Sequence, residues 1–292
     1  MDRGIQAAGS RWKLGRWLVY GLLGLWTAVC LFPLYWVAVT SLKGEAAIVN
    51  GPVYLPFVDF TPTLASWAFI LSDPYDNLIQ RFINSTVVGV ISTVLTLILG
   101  GMAVYGLRRF RFAWFRAGHN RSILAVILAT RILPPVTLVL PIYLMAQYTG
   151  TLDTIFALVC TYTVLNLPVA VWLLQPVLGL NATEQEDAAQ LDGASHLRIF
   201  FTIAVPMAAA GIAAAGLLIF VLCWNEYLFA AYLTSDHALT LPPFLVGQMS
   251  MREAQVGSEA EEWARFSAAT VLIALPLLAL TGVAVRSLRR MG

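Results

Sequence analysis

Residues 83–107 read INSTVVGVISTVLTLILGGMAVYGL, 25 consecutive positions without a charged side chain, closed by Arg108 and Arg109. At ~1.5 Å per residue, a helix over this run covers about 37 Å, more than the ~30 Å of a bilayer's hydrocarbon layer. Working outward, comparable apolar runs lie at about 17–42, 122–146, 154–177, 203–231 and 267–287. Composition agrees: 59% of the residues are hydrophobic and 12% charged, too few polar groups to cover a water-soluble surface of this size. The expected fold is an all-α integral membrane protein with about six transmembrane helices. A short segment, 1–16, precedes one membrane domain spanning 17–290, and no length remains for a large soluble catalytic domain. The first run follows Arg11, Lys13 and Arg16 as a signal sequence would, but it is too long for an h-region and closes on Phe32, Tyr35 and Trp36 rather than a cleavage site. It is expected to be a retained span.

Basic residues orient the chain. With the N-terminus inside, the internal segments hold Arg3, Arg11, Lys13 and Arg16, then Arg108, Arg109, Arg111, Arg116 and Arg121, then Arg198, then Arg286, Arg289 and Arg290. The external loops keep only Lys43, Arg81, Arg252 and Arg265. The positive-inside rule therefore predicts N-in, C-in, with 1–16 cytosolic. One internal loop departs from the pattern: 178–202 carries Glu184, Glu186, Asp187 and Asp192 against Arg198 alone. Something besides topology must account for it.

Prolines recur in or beside the apolar runs, and each removes a backbone donor that protein or water must compensate. Leu133-Pro134-Pro135 with Pro141 stands out, because a helix is interrupted there beside a charge, Arg131. Arg131, Asn166, Asn225 and Glu226 are the strongly polar residues within or near the ends of spans, and they are the candidates for a substrate path. For Arg131 a structural pair with Glu226, or a hydrogen bond to a carbonyl freed by proline, stands beside the path reading.

Enzyme chemistry finds little footing. Lys13 and Lys43 precede Leu14 and Gly44, so no nucleotide-binding G-x-x-x-x-G-K-[ST] loop exists, and H-E-x-x-H, G-x-S-x-G and C-x-x-C are absent as well. His119, His196 and His237 sit in three separate loops without ligand spacing, so no metal site is expected. Cys30, Cys160 and Cys223 lie in apolar runs without paired spacing, as small buried hydrophobes would.

The acidic loop has a readable local structure. Thr183-Glu184-Gln185-Glu186 is a capping-box pattern, with Glu186 expected to reach back to the Thr183 amide. Acidic residues then fill the first turn, where the helix dipole favours them, and Gly193 suits a left-handed stop. Leu197, Phe200, Phe201 and Ala204 follow at i, i+3, i+4 and i+7, an amphipathic lead into the fifth span. The product is a helix-turn-helix knuckle between spans four and five.

Asp187-Ala188-Ala189, Gly193 and Ile203-Ala204-Val205-Pro206 resemble the EAA signature of ABC-importer permeases, E-A-A-x3-G-x9-I-x-L-P. Asp187 replaces the usual Glu, and Val205 the usual Leu. Arg81-Phe82-Ile83-Asn84-Ser85, Leu133-Pro134-Pro135, Asn166-Leu167-Pro168 and Trp224-Asn225-Glu226-Tyr227 are similar to the carbohydrate-uptake, maltose-type branch. The resemblance implies an ABC transporter type-1 transmembrane domain over 17–290 in the inner membrane of a bacterium or archaeon. It implies a non-catalytic permease that pairs with a second permease, takes a carbohydrate from an extracytoplasmic binding protein, and rests on two ATPase subunits that bind ATP and Mg. No cofactor is expected in this chain and no nucleic acid among its partners. Glu186, Asp187, Ala188, Ala189, Asp192, Gly193, Ile203 and Pro206 would form the coupling site. The rival class is a secondary transporter or channel for a small polar solute. The long external connection, 234–266, is expected to touch the binding protein.

Overall fold

In hydrocarbon every backbone N–H and C=O must find its partner inside the segment, so uncharged runs of this length fold as helices. The computed structural model describes residues 3–50, 53–72, 77–110, 112, 120–178, 183–252 and 259–291. The described residues are nearly all helical. In chain order the helices are α1 (Arg3–Thr40), α2 (Glu45–Val49), α3 (Ala65–Ser72), α4 (Leu78–Arg109), α5 (Asn120–Ala129), α6 (Pro135–Tyr148), α7 (Ile155–Val177), α8 (Thr183–Leu191), α9 (His196–Ile199), α10 (Val205–Met207), α11 (Ala209–Trp224), α12 (Leu228–Leu233), α13 (Leu241–Arg252) and α14 (Glu259–Met291). A 3-10 turn, Thr130–Ile132, follows α5, and a π-helical turn, Phe200–Ala204, separates α9 from α10.

Among the described residues, four stretches are long and apolar enough to cross a membrane unbroken: Arg16–Thr40, Leu78–Arg109, Ile155–Val177 and Ala260–Gly282. Two bent pairs are together long and apolar enough for a further span each, Asn120–Ile132 with Pro135–Tyr148 at 91° and His196–Met207 with Ala209–Trp224 at 86°, which gives four to six spans. The expected runs 122–146 and 203–231 are thus not straight helices. In the first, Leu133 (ψ 126°) and Pro134 (ψ 128°) are extended, as residues preceding a proline must be, and the helix restarts at Pro135. In the second, the chain turns at Ala208, and α11 stops at Trp224 rather than reaching 231. There Asn225 Nδ2 donates back to Val221 O (2.9 Å), while Glu226 accepts the N–H groups that open α12. The first span closes at Thr40, two residues short of the expected 42, and its helix extends back to Arg3.

The chain divides into two compact units, residues 1–76 with 251–274, and 77–250 with 275–292. In the first, the Lys43 ammonium sits 4.2 Å from the Trp36 ring and 5.8 Å from that of Phe60. Tyr35 donates to Tyr54 O, and Asp59 accepts from the amides of Tyr54 and Leu55. The second unit is built on α4, α7 and α11, whose buried faces meet through Val88, Val104, Leu158, Val171, Leu174 and Ile219. Lipid tails are as apolar as leucine, so close packing rather than water exclusion holds such helices together. Small residues permit it: a Cβ on Gly100 would lie 2.7 Å from Ala170 Cβ. Cys223 is buried in this core, whereas Cys30 and Cys160 are exposed, contrary to the expectation that all three are buried.

Candidate functional site

The knuckle is ordered by its ends. At its C-terminus Gly193 adopts φ +81°, its N–H donates to Gln190 O (3.0 Å), and the Ala194 N–H reaches Ala189 O (3.0 Å). This doubled closure satisfies carbonyls that the last turn would leave open. Ser195 then caps α9, accepting from Arg198 N. The Thr183 side chain lies outside the described residues. The capping box is therefore not described, but Glu186 has a partner outside α8: its Oε2 accepts from Arg109 Nε at 2.6 Å, and the side chain is buried.

Arg109 accounts for two of the acidic loop's four carboxylates, Glu186 and Asp187. Its Nη1 also donates to Asp187 Oδ1 (2.9 Å), so the last residue of α4 grips the first two turns of α8 with a forked guanidinium. Asp187 and Asp192 are exposed on α8 and its end, Ala188 and Leu191 are exposed with Leu191 90% accessible, and Ala189 is partly buried against the core. Phe110 stacks edge-on to His196 with ring centroids 4.9 Å apart, and Tyr105 lies 5.5 Å from Phe200.

The lead into the fifth span departs from its expected register. Phe200 and Ala204 are buried as anticipated, but Leu197 and Phe201 are exposed, and Ile199 joins the buried face instead. The Val205 N–H bonds to Phe200 O, five residues back, and this wider turn rotates the side chains relative to a 3.6-residue period. Ile203 packs against the core within the π turn, and Pro206 is exposed at the start of α10.

The four polar candidates of the bundle fall into different settings. Arg131 is exposed on the 3-10 turn at the bend, with Nη1 donating to Leu165 O (3.2 Å) on α7. The carbonyl that Pro168 leaves without a helical donor is that of Val164, four residues back, so this contact is neither the Glu226 pair nor a bond to that freed carbonyl; it ties the bend to α7 one residue further on. Asn166 is buried, its Nδ2 directed to Tyr162 O (2.9 Å) and Cys223 Sγ (3.5 Å) on α11. Asn225 is exposed. Glu226 spends both carboxylate oxygens on the Phe229 and Ala230 amides (2.9 and 3.1 Å). Arg131, Leu165, Asn166 and Cys223 thereby link the bend to α7 and α11, while Glu226 serves as a helix cap.

At the opposite end of α4 from Arg109 a second clamp appears. Buried Arg81 donates to Asp236 O and, at 2.6 Å, to Asp236 Oδ1. Asn84 Nδ2 bonds to His237 O and Leu239 O (2.9 and 3.0 Å), and Ser85 Oγ accepts from Leu241 N (2.8 Å). The tract 81–85 holds the loop between α12 and α13. From the other side, Asp153 accepts the amides of Ser235, Asp236, His237 and Ala238 at 3.0–3.3 Å. Burial acts to raise the Asp153 pKa, but these backbone donors together outweigh it and hold the carboxyl below its usual range. Neither Arg109 nor Asp153 stood out in the sequence. Arg109 looked like one more topological charge, and Asp153 lies in a short polar turn. Of the connection 234–266, residues 253–258 fall outside those described, as does His119.

Long apolar helices, two bent pairs, a knuckle clamped to the end of α4 and a loop clamped at its start together fit a multi-pass membrane protein. The chain belongs to the family of binding-protein-dependent transport system inner membrane components, which matches residues 114–292. It is 32% identical over 284 residues to the inner membrane ABC transporter permease protein YcjP of Escherichia coli, covering 97% of this chain and 96% of that one. It is 34% identical over 248 residues (85% and 81% of the two chains) to the sulfoquinovosyl glycerol transport system permease protein SmoH of Agrobacterium fabrum. With the trehalose/maltose transport system permease protein MalG of Thermococcus litoralis it shares 26% identity over 262 residues, 89% and 88% of the chains. Its fold matches a chain of a bacterial ABC transporter involved in alginate import, with a TM-score of 0.71 at 21% identity and 98% coverage of both chains.

Proposed function

We propose that this chain is the carbohydrate-translocating permease of an ABC importer, oriented N-in and C-in, with the membrane domain over 17–290. It works with a second permease, two ATPase subunits that bind ATP and Mg, and an extracytoplasmic binding protein that delivers the solute. The observation that carries this reading is the knuckle: a short helix closed by Gly193, gripped by Arg109 and joined through the π turn to α11. Such a body can transmit displacement to a span, because the path from Gly193 to α11 is a tight turn followed by helix rather than a slack loop. Its free surface, with Ala188, Leu191 and Asp192, offers an apolar and acidic face to an ATPase cleft, while Glu186 and Asp187 hold the knuckle to its own bundle. Ile203 and Pro206 relay the movement toward α11. The sugar-transporting names of SmoH and MalG support a carbohydrate or a glycosylated polyol as cargo.

Along the proposed path Arg131 and Asn225 supply exposed polar groups, and Asn166 and Glu226 fix the helices that carry them. A guanidinium facing lipid at mid-depth costs about 2.5–3.5 kcal/mol or more, which favours an interior or water-lined position for Arg131. The loop pinned by Arg81, Asn84, Ser85 and Asp153 is proposed to face the binding protein together with the rest of 234–266. The test is reconstitution of the chain with its companion subunits in proteoliposomes, with solute binding measured on the companion binding protein. ATP-dependent uptake of the sugar that this protein binds is expected. Uptake without ATP or a co-purifying ATPase would overturn the proposal in favour of a secondary transporter or channel.

A further inference from the structure

The two arginines that end α4 serve different surroundings. Arg109 is consumed by the knuckle, whereas exposed Arg108 donates one N–H to Gln175 O on α7 and lines a cleft of about 150 Å³ between α4, α5 and α7. Arg121 and Asn120 of α5 line the same cleft, Leu107 and Leu124 supply apolar wall, and no carboxylate is among the described residues that line it. Asn120 is fully employed in holding the chain at the cleft's edge: its Nδ2 serves Leu107 O and Phe110 O, and its Oδ1 accepts from Phe112 N (3.0 Å). The cleft thus presents two guanidinium groups beside hydrocarbon. It is well below the ~300 Å³ at which pockets for drug-sized ligands begin, so it suits a small group such as a lipid head group. The sequence 108–121 points the same way. It holds five arginines and four aromatic residues, Phe110, Phe112, Trp114 and Phe115, without one Asp or Glu. Such a mixture partitions to the boundary between head groups and acyl chains, where basic pockets between helices capture anionic lipid.

We propose that this cleft binds the phosphate of an anionic phospholipid, with Arg108 and Arg121 as charge partners and Leu107 and Leu124 against the start of the acyl chains. This rests on the N-in, C-in reading, which puts the cleft at the cytosolic boundary. Because Arg108 is adjacent to Arg109, an occupied cleft would steady the helix end that grips the knuckle.

The experiment uses the assembled transporter, delipidated in neutral detergent, and fluorescent phosphatidylglycerol or phosphatidylcholine of equal chain length as probes. Phosphatidylglycerol is expected to bind about tenfold more tightly than phosphatidylcholine, with the preference shrinking as salt rises. Arg108→Gln/Arg121→Gln should abolish the preference, and Arg121→Lys should keep most of it. Equal binding of the two lipids, or an undiminished preference in the double variant, would overturn the assignment. Displacement of the probe by millimolar inorganic phosphate would also overturn it, by marking the cleft as a site for a soluble oxyanion. If the double variant fails to assemble, the comparison of Arg121→Gln with Arg121→Lys decides: loss of preference in the first alone supports the site, and no difference between them refutes it. Co-purification of the ATPase, measured on the same samples, reports separately on the importer reading.

Discussion

Removing the Arg109 guanidinium should loosen the knuckle without unfolding the bundle. Arg109 is 20% exposed as a side chain and Glu186 only 6%, so Arg109→Ala leaves a nearly buried carboxylate without its counter-charge. Breaking a buried pair from one side costs ~3–5 kcal/mol, whereas an exposed pair contributes ~1 kcal/mol or less. Asp187, 58% exposed, belongs to the second class. Since Arg109 itself keeps some water, the cost falls between the two classes, about 2–3 kcal/mol, which multiplies the opening equilibrium of α8 by roughly 30–150. Hydrogen exchange on the peptide covering 184–194, in the purified transporter, reads this directly, because amides of a locally opening element exchange in proportion to its open fraction. Protection there should fall by one and a half to two orders of magnitude, that of α7 should hold, and ATP-driven uptake should drop. Arg109→Ala/Glu186→Ala removes both partners and should recover much of the protection, since no orphan charge remains. Unchanged exchange in the single variant, or a double variant no better than the single, would show that the ion pair does not hold the knuckle.

Three further outcomes are expected. Gly193→Val meets a φ of +81°, at a cost of roughly 1–2 kcal/mol, and should abolish uptake while the chain still inserts; retained uptake with full ATPase co-purification would remove the knuckle from coupling. Arg131→Ala should lower uptake without affecting insertion, and wild-type transport by that variant would make the residue a bystander. Asp153 carries a depressed pKa, so the stability it lends to the 235–238 turn is present above its unfolded pKa of about 3.9 and is lost as pH falls through the lower folded value. Exchange in that turn should therefore be insensitive to pH from 8 to about 5 once intrinsic rates are divided out, and Asp153→Asn should raise it throughout; protection in Asp153→Asn equal to that of the wild type would show that the carboxylate is dispensable.

Helices, their approximate limits and the knuckle with its glycine stop were legible from the residues in order. Each depends on interactions within about four positions: an uncharged run leaves the backbone no partner but itself, and glycine accepts a left-handed turn at the least cost. The polar side chains were legible as candidates, but not in their engagements. Glu186 fitted a capping box as well as an ion pair, and only the approach of α4, 77 residues away, gives it Arg109. The tract 81–85 holds backbone groups some 155 residues further on, and Asp153 collects four amides from the far end of α12. The π turn at 200–204 likewise displaced a periodicity that sequence counting took as regular. Local pattern sets which segments are helices and where they stop. Which helix end meets which loop, and hence where each charge finds its partner, was decided by packing between segments too distant in sequence for any spacing rule to register.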